Sequence, residues 1–181
     1  MKLNWCKDNE NHSTSIPADI LYLQSRWSNN HNILIIGNSK KYNEVFSKLK
    51  VTQLDISTLK TQIKNNNLKP FECILCYHSL SSLNFSKCQK LLEELSKLLK
   101  DKGEIYLTLL SKDSYFYKHN IKTDNNLYIT QKELAHLLGC YSIKNIEYTK
   151  RIKADRKYNP HYYILATKHT ENVATNTATN F

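Results

Sequence analysis

Only three glycines, three prolines and a single methionine occur among 181 residues, and Gly37 is the one glycine in the first hundred. That scarcity excludes a glycine-rich pyrophosphate loop, because close backbone approach to a phosphate tolerates no side chain. A dinucleotide ligand is therefore not expected. No apolar run exceeds five residues, far short of the roughly 20 that a membrane-crossing helix needs. The first residues, Met1-Lys2-Leu3-Asn4-Trp5-Cys6-Lys7-Asp8, contain no apolar signal region. Five cysteines (Cys6, Cys73, Cys76, Cys88, Cys140) make an odd number without the spacing of a disulfide framework. Reduced thiols in a cytoplasmic protein are the expectation. Neither an internal repeat nor the Gly-x-Ser-x-Gly elbow of a serine hydrolase is present.

Acidic residues are also in deficit: 16 against 26 lysines and arginines, a net charge of +10. The lysines are scattered, which reads as a solvated surface. One dense segment, Lys150-Arg151-Ile152-Lys153-Ala154-Asp155-Arg156-Lys157 between Tyr148 and Tyr158, has the composition of a nucleic-acid footprint.

What the chain does contain is an ordered series of short apolar runs. Ile33-Leu34-Ile35-Ile36 reads as a strand buried on both faces, and Gly37 marks a sharp turn or a close approach at its end. Pro17 and Asp19 start a helix before it, with Ile20, Leu21, Leu23 and Trp27 on the buried side. Tyr42, Val45, Phe46 and Leu49 recur at helical spacing after the glycine, and Val51–Leu54 reads as a second strand. Residues 57–69 allow at most a short helix. Phe71–Cys76 is a further buried strand, in which Cys73 and Cys76 point to opposite faces and cannot share a metal. Ser86 with Gln89 predicts a capping box for a helix striped by Cys88, Leu91, Leu92, Leu95, Leu98 and Leu99. Gly103 is expected to stop it. Glu104–Leu110 follows as a strand, Thr130 with Glu133 caps a helix ended by Gly139, and strands around 141–152 and 161–167 form an edge hairpin with a turn at Asn159-Pro160. The whole is an α/β fold, mostly parallel with an antiparallel edge.

In that order, Ile33–Asn43, Leu54-Asp55-Ile56-Ser57, Phe71–Leu80, Leu91–Leu107 and His161–Ala166 resemble the class I S-adenosylmethionine-dependent methyltransferases, over about residues 16–168. The last segment is similar to that of the small tellurite-resistance and thiopurine-type enzymes. The resemblance implies a Rossmann-like methyltransferase fold in one domain, residues 1–168, followed by a low-complexity tail, 169–181. Ser39 and Lys41 stand at two of the family's three glycine positions. Between Asp55 and Phe71 there is too little chain for the usual helix and third strand, so the third strand is expected to be missing; the alternative is that Val51–Ile56 is the third and the second is missing.

The resemblance implies S-adenosylmethionine as cofactor, held by Gly37, Asn38, Ser39 and Asp55, and a small-molecule substrate near Tyr77 and His78. The residues themselves leave alternatives open. Asp55 is suited to accept hydrogen bonds from a ribose, and an Asp before Ser is equally a helix cap. His78, with a pKa near neutrality, is a candidate general base or a surface histidine. Methyl transfer from a sulfonium needs chiefly alignment of donor and nucleophile, so no acid/base pair is required. Two other readings stand beside the small-molecule enzyme: a catalytically inactive methyltransferase-like binding module, and a nucleic-acid methyltransferase.

Overall fold

The computed structural model describes residues 17–37, 40–113, 115–118, 127–151 and 161–169. In chain order the elements are α1 (Ala18–Arg26), β1 (Asn32–Ile36), α2 (Lys40–Val45), β2 (Lys50–Leu54), α3 (Ile56–Lys64), β3 (Phe71–Cys76), α4 (Phe85–Leu98), β4 (Leu99–Ser111), α5 (Tyr115–Lys118), β5 (Tyr128–Ile129), α6 (Gln131–Gly139), β6 (Ile143–Arg151) and β7 (His161–Lys168). The strands form one sheet in the order β2-β1-β3-β4-β7-β6, with β5 beside the end of β4. β2, β1, β3, β4 and β5 pair in parallel, whereas β7 runs antiparallel to both β4 and β6. The edge hairpin is therefore present, with its second strand turned inward; the expected Asn159-Pro160 turn lies outside the described residues.

β2 pairs directly with β1, Ile33 opposite Val51 and Ile35 opposite Gln53. In a doubly wound sheet the second strand flanks the first. Residues 50–54 are thus the second strand, and it is the third that has no counterpart among the described residues. The segment after Asp55, expected to hold at most a short helix, supplies α3, a helix of nine residues.

Apolar runs are continuous because both faces of the sheet are covered. Leu34, Ile36, Ile74, Cys76, Leu107 and Leu109 point to the side of α3, α4 and α6, where they meet Leu59, Leu91, Leu92, Leu95 and Leu134. Ile33, Ile35, Cys73, Leu75, Tyr106 and Tyr163 point the other way, against Ile20 and Leu23 of α1, Trp27 at its C-cap and Phe46 after α2. Cys73 and Cys76 accordingly lie in different cores, and no cluster of potential metal ligands occurs among the described residues. None of the described helices is long and apolar enough to cross a membrane.

Three local expectations need correction. α4 begins at Phe85, capped by Asn84, whose side chain accepts from the Lys87 amide at 2.9 Å; Ser86 sits in the first turn rather than before it. Leu21 is 46% exposed, so the buried side of α1 is Ile20 and Leu23, continued by Trp27 at the C-cap. Gly103 does not end α4, which stops at Leu98, but lies inside β4. The β3–β4 ladder passes from Phe71–Leu99 to Cys73–Glu104, leaving residues 100–103 as a bulge in which Lys102 has φ of 60°. A Cβ on Gly103 would stand 2.8 Å from the Lys100 carbonyl oxygen and 3.0 Å from that of Glu72, so glycine is required by close backbone approach. The bulge is held down beside Glu104, whose carboxylate accepts from Arg26 Nε at 2.9 Å and Trp27 Nε1 at 2.9 Å. The capping box of Thr130 and Glu133 on α6 is as expected.

Candidate functional site

From β1 the chain crosses to β2 on one side, then returns past β1 to β3 on the other. Such a reversal opens a crevice at the carboxyl ends of the two central strands, where open α/β sheets bind ligands. Gly37 and the segment Tyr77-His78-Ser79 occupy those ends. Gly37 has φ of +122°, a backbone conformation that a side chain resists, and a Cβ there would lie 3.5 Å from the Ser79 Cβ. Its amide donates to the Leu54 carbonyl at 2.9 Å and its own carbonyl accepts from Gln53 Nε2 at 2.7 Å. These two bonds tie the turn after β1 to the end of β2. Asp55, the next residue, is thereby fixed at the same rim.

The Asp55 carboxylate caps α3. Its Oδ1 accepts from the Thr58 amide at 2.7 Å and the Ser57 hydroxyl at 2.6 Å, and Oδ2 accepts from Thr58 Oγ1 at 3.1 Å. The Ser57 hydroxyl first, then the Thr58 amide, hold the carboxyl below its ordinary pKa. A carboxylate has about four lone-pair sites; three bonds are made here, and the Ser57 amide also acts on the group. The cap therefore engages most of the carboxylate, and the residue is open to solvent at the rim. Asn38 and Ser39 lie outside the described residues.

Tyr77 and His78 come together at the end of β3, rings 4.4 Å apart and edge-on. His78 is left-handed, φ 55°, with its amide bonded to Thr108 Oγ1 at 2.5 Å. A β4 side chain thus fixes a strained turn in a loop. The imidazole is solvent-accessible, yet desolvation by its neighbours lowers its pKa and favours the neutral base.

A larger polar cluster surrounds these two residues. The Tyr77 ring meets Tyr42 at 5.0 Å and stacks on Tyr106 at 6.5 Å, and His78 meets His161 of β7 at 4.8 Å. Beneath them the Tyr106 hydroxyl donates to Asp19 of α1, both fully buried. Asp19, Tyr42, Tyr106, Thr108 and His161 were not among the expected site residues. A signal existed in β4, where Tyr106 and Thr108 place polar atoms on one face of an otherwise apolar run. Asp19 offered none, since its place in the first turn of a helix already accounts for an acid there.

At the opposite end of the strands, a 390 Å³ cavity is lined by Arg26, His31, Glu72, Cys73, Lys100 and Glu104, among others. Cys73 Sγ lies 3.5 Å from His31 Nδ1. Burial first, then the nearby Glu104 and Glu72 carboxylates, push that thiol well up, the reverse of what a nucleophile needs.

No family model and no curated protein matches the sequence. Among solved structures the chain is similar to the magnesium protoporphyrin IX methyltransferase of Synechocystis with bound S-adenosylhomocysteine, at 9% identity and a TM-score of 0.61 over 83% of this chain and 80% of that one. Its likeness to the 1,6-didemethyltoxoflavin-N1-methyltransferase of Burkholderia thailandensis, with bound 1,6-didemethyltoxoflavin and S-adenosylhomocysteine, is 13% identity and a TM-score of 0.61 over 83% and 76%. A methyltransferase from Archaeoglobus fulgidus aligns at 13% identity and a TM-score of 0.60 over 82% and 94%. At these identities the likeness speaks to architecture, and on it the chain has the fold of the S-adenosylmethionine-dependent methyltransferases.

Proposed function

We propose that the protein is an S-adenosylmethionine-dependent methyltransferase acting on a small molecule. The observation that carries this reading is the rim built by Gly37 and Asp55, locked together through Leu54 and Gln53 at the reversal of strand order. The residues fit the group: Gly37 leaves room for close approach, and the Asp55 carboxylate stands open to solvent at the rim while it caps α3. In this reading Asp55 accepts hydrogen bonds from the ribose hydroxyls, and Gly37, Asn38 and Ser39 line the loop against the methionine part. Tyr77 and His78 face the substrate. The cofactor supplies an electrophilic methyl on a sulfonium; the protein aligns a nucleophile with it and excludes water. Neutral His78 is suited to take a proton from that nucleophile.

A second reading, a methyltransferase-like module that binds without catalysis, is favoured by the edge position of β2, which leaves that side of the crevice without a further strand among the described residues. The nucleic-acid reading depends on the basic segment 150–157, of which residues 152–157 lie outside the described residues. Calorimetric titration separates the readings. Wild-type protein is expected to bind S-adenosylmethionine and S-adenosylhomocysteine, and Asp55→Ala to weaken both by roughly tenfold or more through loss of charge-assisted bonds. Absence of cofactor binding at millimolar concentration removes the enzyme; an unaltered affinity in Asp55→Ala with a lowered melting midpoint makes Asp55 a cap alone.

A further inference from the structure

We propose that the crevice selects a cationic substrate, a small organic amine, received on the Tyr42 and Tyr77 rings above the buried Asp19 carboxylate and deprotonated by His78. The methyl-transfer step rests on the methyltransferase reading above; the amine preference does not.

Asp19 is fully buried, with its charge placed under aromatic rings rather than at the surface. Burying a carboxylate is costly, and the Tyr106 hydroxyl donates to this one. Its field reaches the rim. Burial first, then the Asp19 charge, push Tyr42 up to about 12, and the same two causes raise Tyr106, so both remain neutral hydroxyl donors in a region of negative potential. Three rings continue that region outward: Tyr106 stacked on Tyr77, and Tyr77 edge-on to Tyr42. Aromatic faces are themselves negative and receive ammonium groups. Tyr42 and Tyr77 are half-buried and His78 is exposed, so an incoming molecule can reach this layer. A carboxylate or phosphate would meet Asp19's repulsion and the π faces there.

The chemistry then balances with the groups in place. Bound as an ammonium, the amine gives one proton to the neutral imidazole of His78, an uphill transfer to a weaker base that the methyl transfer following it draws forward. The freed nitrogen lone pair forms the N–C bond to the methyl group while the C–S bond breaks, and sulfur keeps that electron pair as a neutral thioether. The product leaves as a methylated ammonium, and His78 returns its proton to water.

Three probes of one skeleton test the proposal: 2-phenylethylamine as cation, 2-phenylethanol as its neutral counterpart and phenylacetate as anion. Each is titrated calorimetrically into the protein alone and into protein saturated with S-adenosylhomocysteine. The amine is expected to bind about tenfold or more tightly than either of the others. Asp19→Asn is expected to abolish that preference with S-adenosylhomocysteine affinity unchanged. Should Asp19→Asn fail to fold, Tyr77→Leu provides the second reading, weakening the amine more than the alcohol. Equal or tighter binding of the alcohol or the acid, or no amine binding at millimolar concentration, overturns the proposal. An amine preference in protein that does not bind S-adenosylhomocysteine removes the methyltransferase reading and leaves the amine site standing; cofactor binding without the preference does the reverse.

Discussion

Gly103→Ala and Gly139→Ala make the same chemical change and are expected to move stability in opposite directions. At Gly103 the new methyl would meet the carbonyl oxygens of Lys100 at 2.8 Å and Glu72 at 3.0 Å, and the Leu99 Cδ1 at 2.9 Å. The leucine methyl can rotate aside. The carbonyls cannot, because one belongs to the bulge and the other to β3, where Glu72 is bound through its side chain to the Asn32 amide at 2.8 Å and to Lys100. Relief therefore requires the bulge to open, at the usual cost of overpacking, roughly 1–3 kcal/mol. For a chain of this length that corresponds to a fall in melting midpoint of about 2–12 °C. Gly139 closes α6 with nothing within 4 Å of the place an alanine methyl would take, and no unusual φ. Alanine there restricts the unfolded chain and should stabilise by about 0.4–1 kcal/mol. Thermal melts followed by far-UV circular dichroism read both. A Gly103→Ala protein that melts with the parent would refute the claim that backbone contact, rather than helix termination, keeps glycine at this position.

Leu95, fully buried beneath α4, should lose about 2–5 kcal/mol on truncation to alanine, or roughly 4–20 °C in midpoint; a negligible shift would mean that α4 presents another face. Glu133 is held down to about 2 from an ordinary 4.5, first by the Lys112 ammonium at 2.6 Å and then by the Thr130 amide at 2.8 Å. A depressed folded-state value contributes stability that is present above 4.5 and is lost as pH falls towards 2, so the melting difference between wild type and Glu133→Gln should shrink across that window. Constancy of the difference down to the acid end would count against the ion pair. Of the described cysteines, Cys140 should label first under native alkylation, while Cys73, Cys76 and Cys88 resist until unfolding; they are buried, and burial pushes Cys88 up to about 12. Peptide mapping that finds Cys76 labelled in folded protein would contradict the packing of β3.

Strands buried on both faces were legible because burial demands contiguous apolar residues: Ile33–Ile36 and Phe71–Cys76 could hardly have been anything else. β5 was not, since two residues carry no period and owe their strand geometry to pairing with Leu110 and Ser111. The Gly103 error has a similar origin. A glycine after an apolar stripe looks like a local stop, yet its reason is the carbonyl of Glu72 on a neighbouring strand. The position of Tyr77 and His78 at the carboxyl end of β3 was legible because residues that follow a central strand lie there whatever else the fold does. The Asp19–Tyr106 pair spans 87 positions and leaves no local pattern. Asp55 illustrates the remaining ambiguity: a carboxylate that caps α3 stands in the same place as one that would face a ligand at the rim, so its spacing could not distinguish the two.

The place of β7 carries a consequence for synthesis. It follows every other described strand, yet it lies between β4 and β6 and is bonded to both, from Leu110–His161 to Glu104–Thr167 on one side. On the ribosome, β4 therefore waits with one hydrogen-bonding edge bare until residues 161–168 emerge, and β6 has no place in the sheet before then. Emerging chains of this kind present an adhesive strand to one another. Any delay in the arrival of residues 161–168 leaves that edge of β4 open for longer.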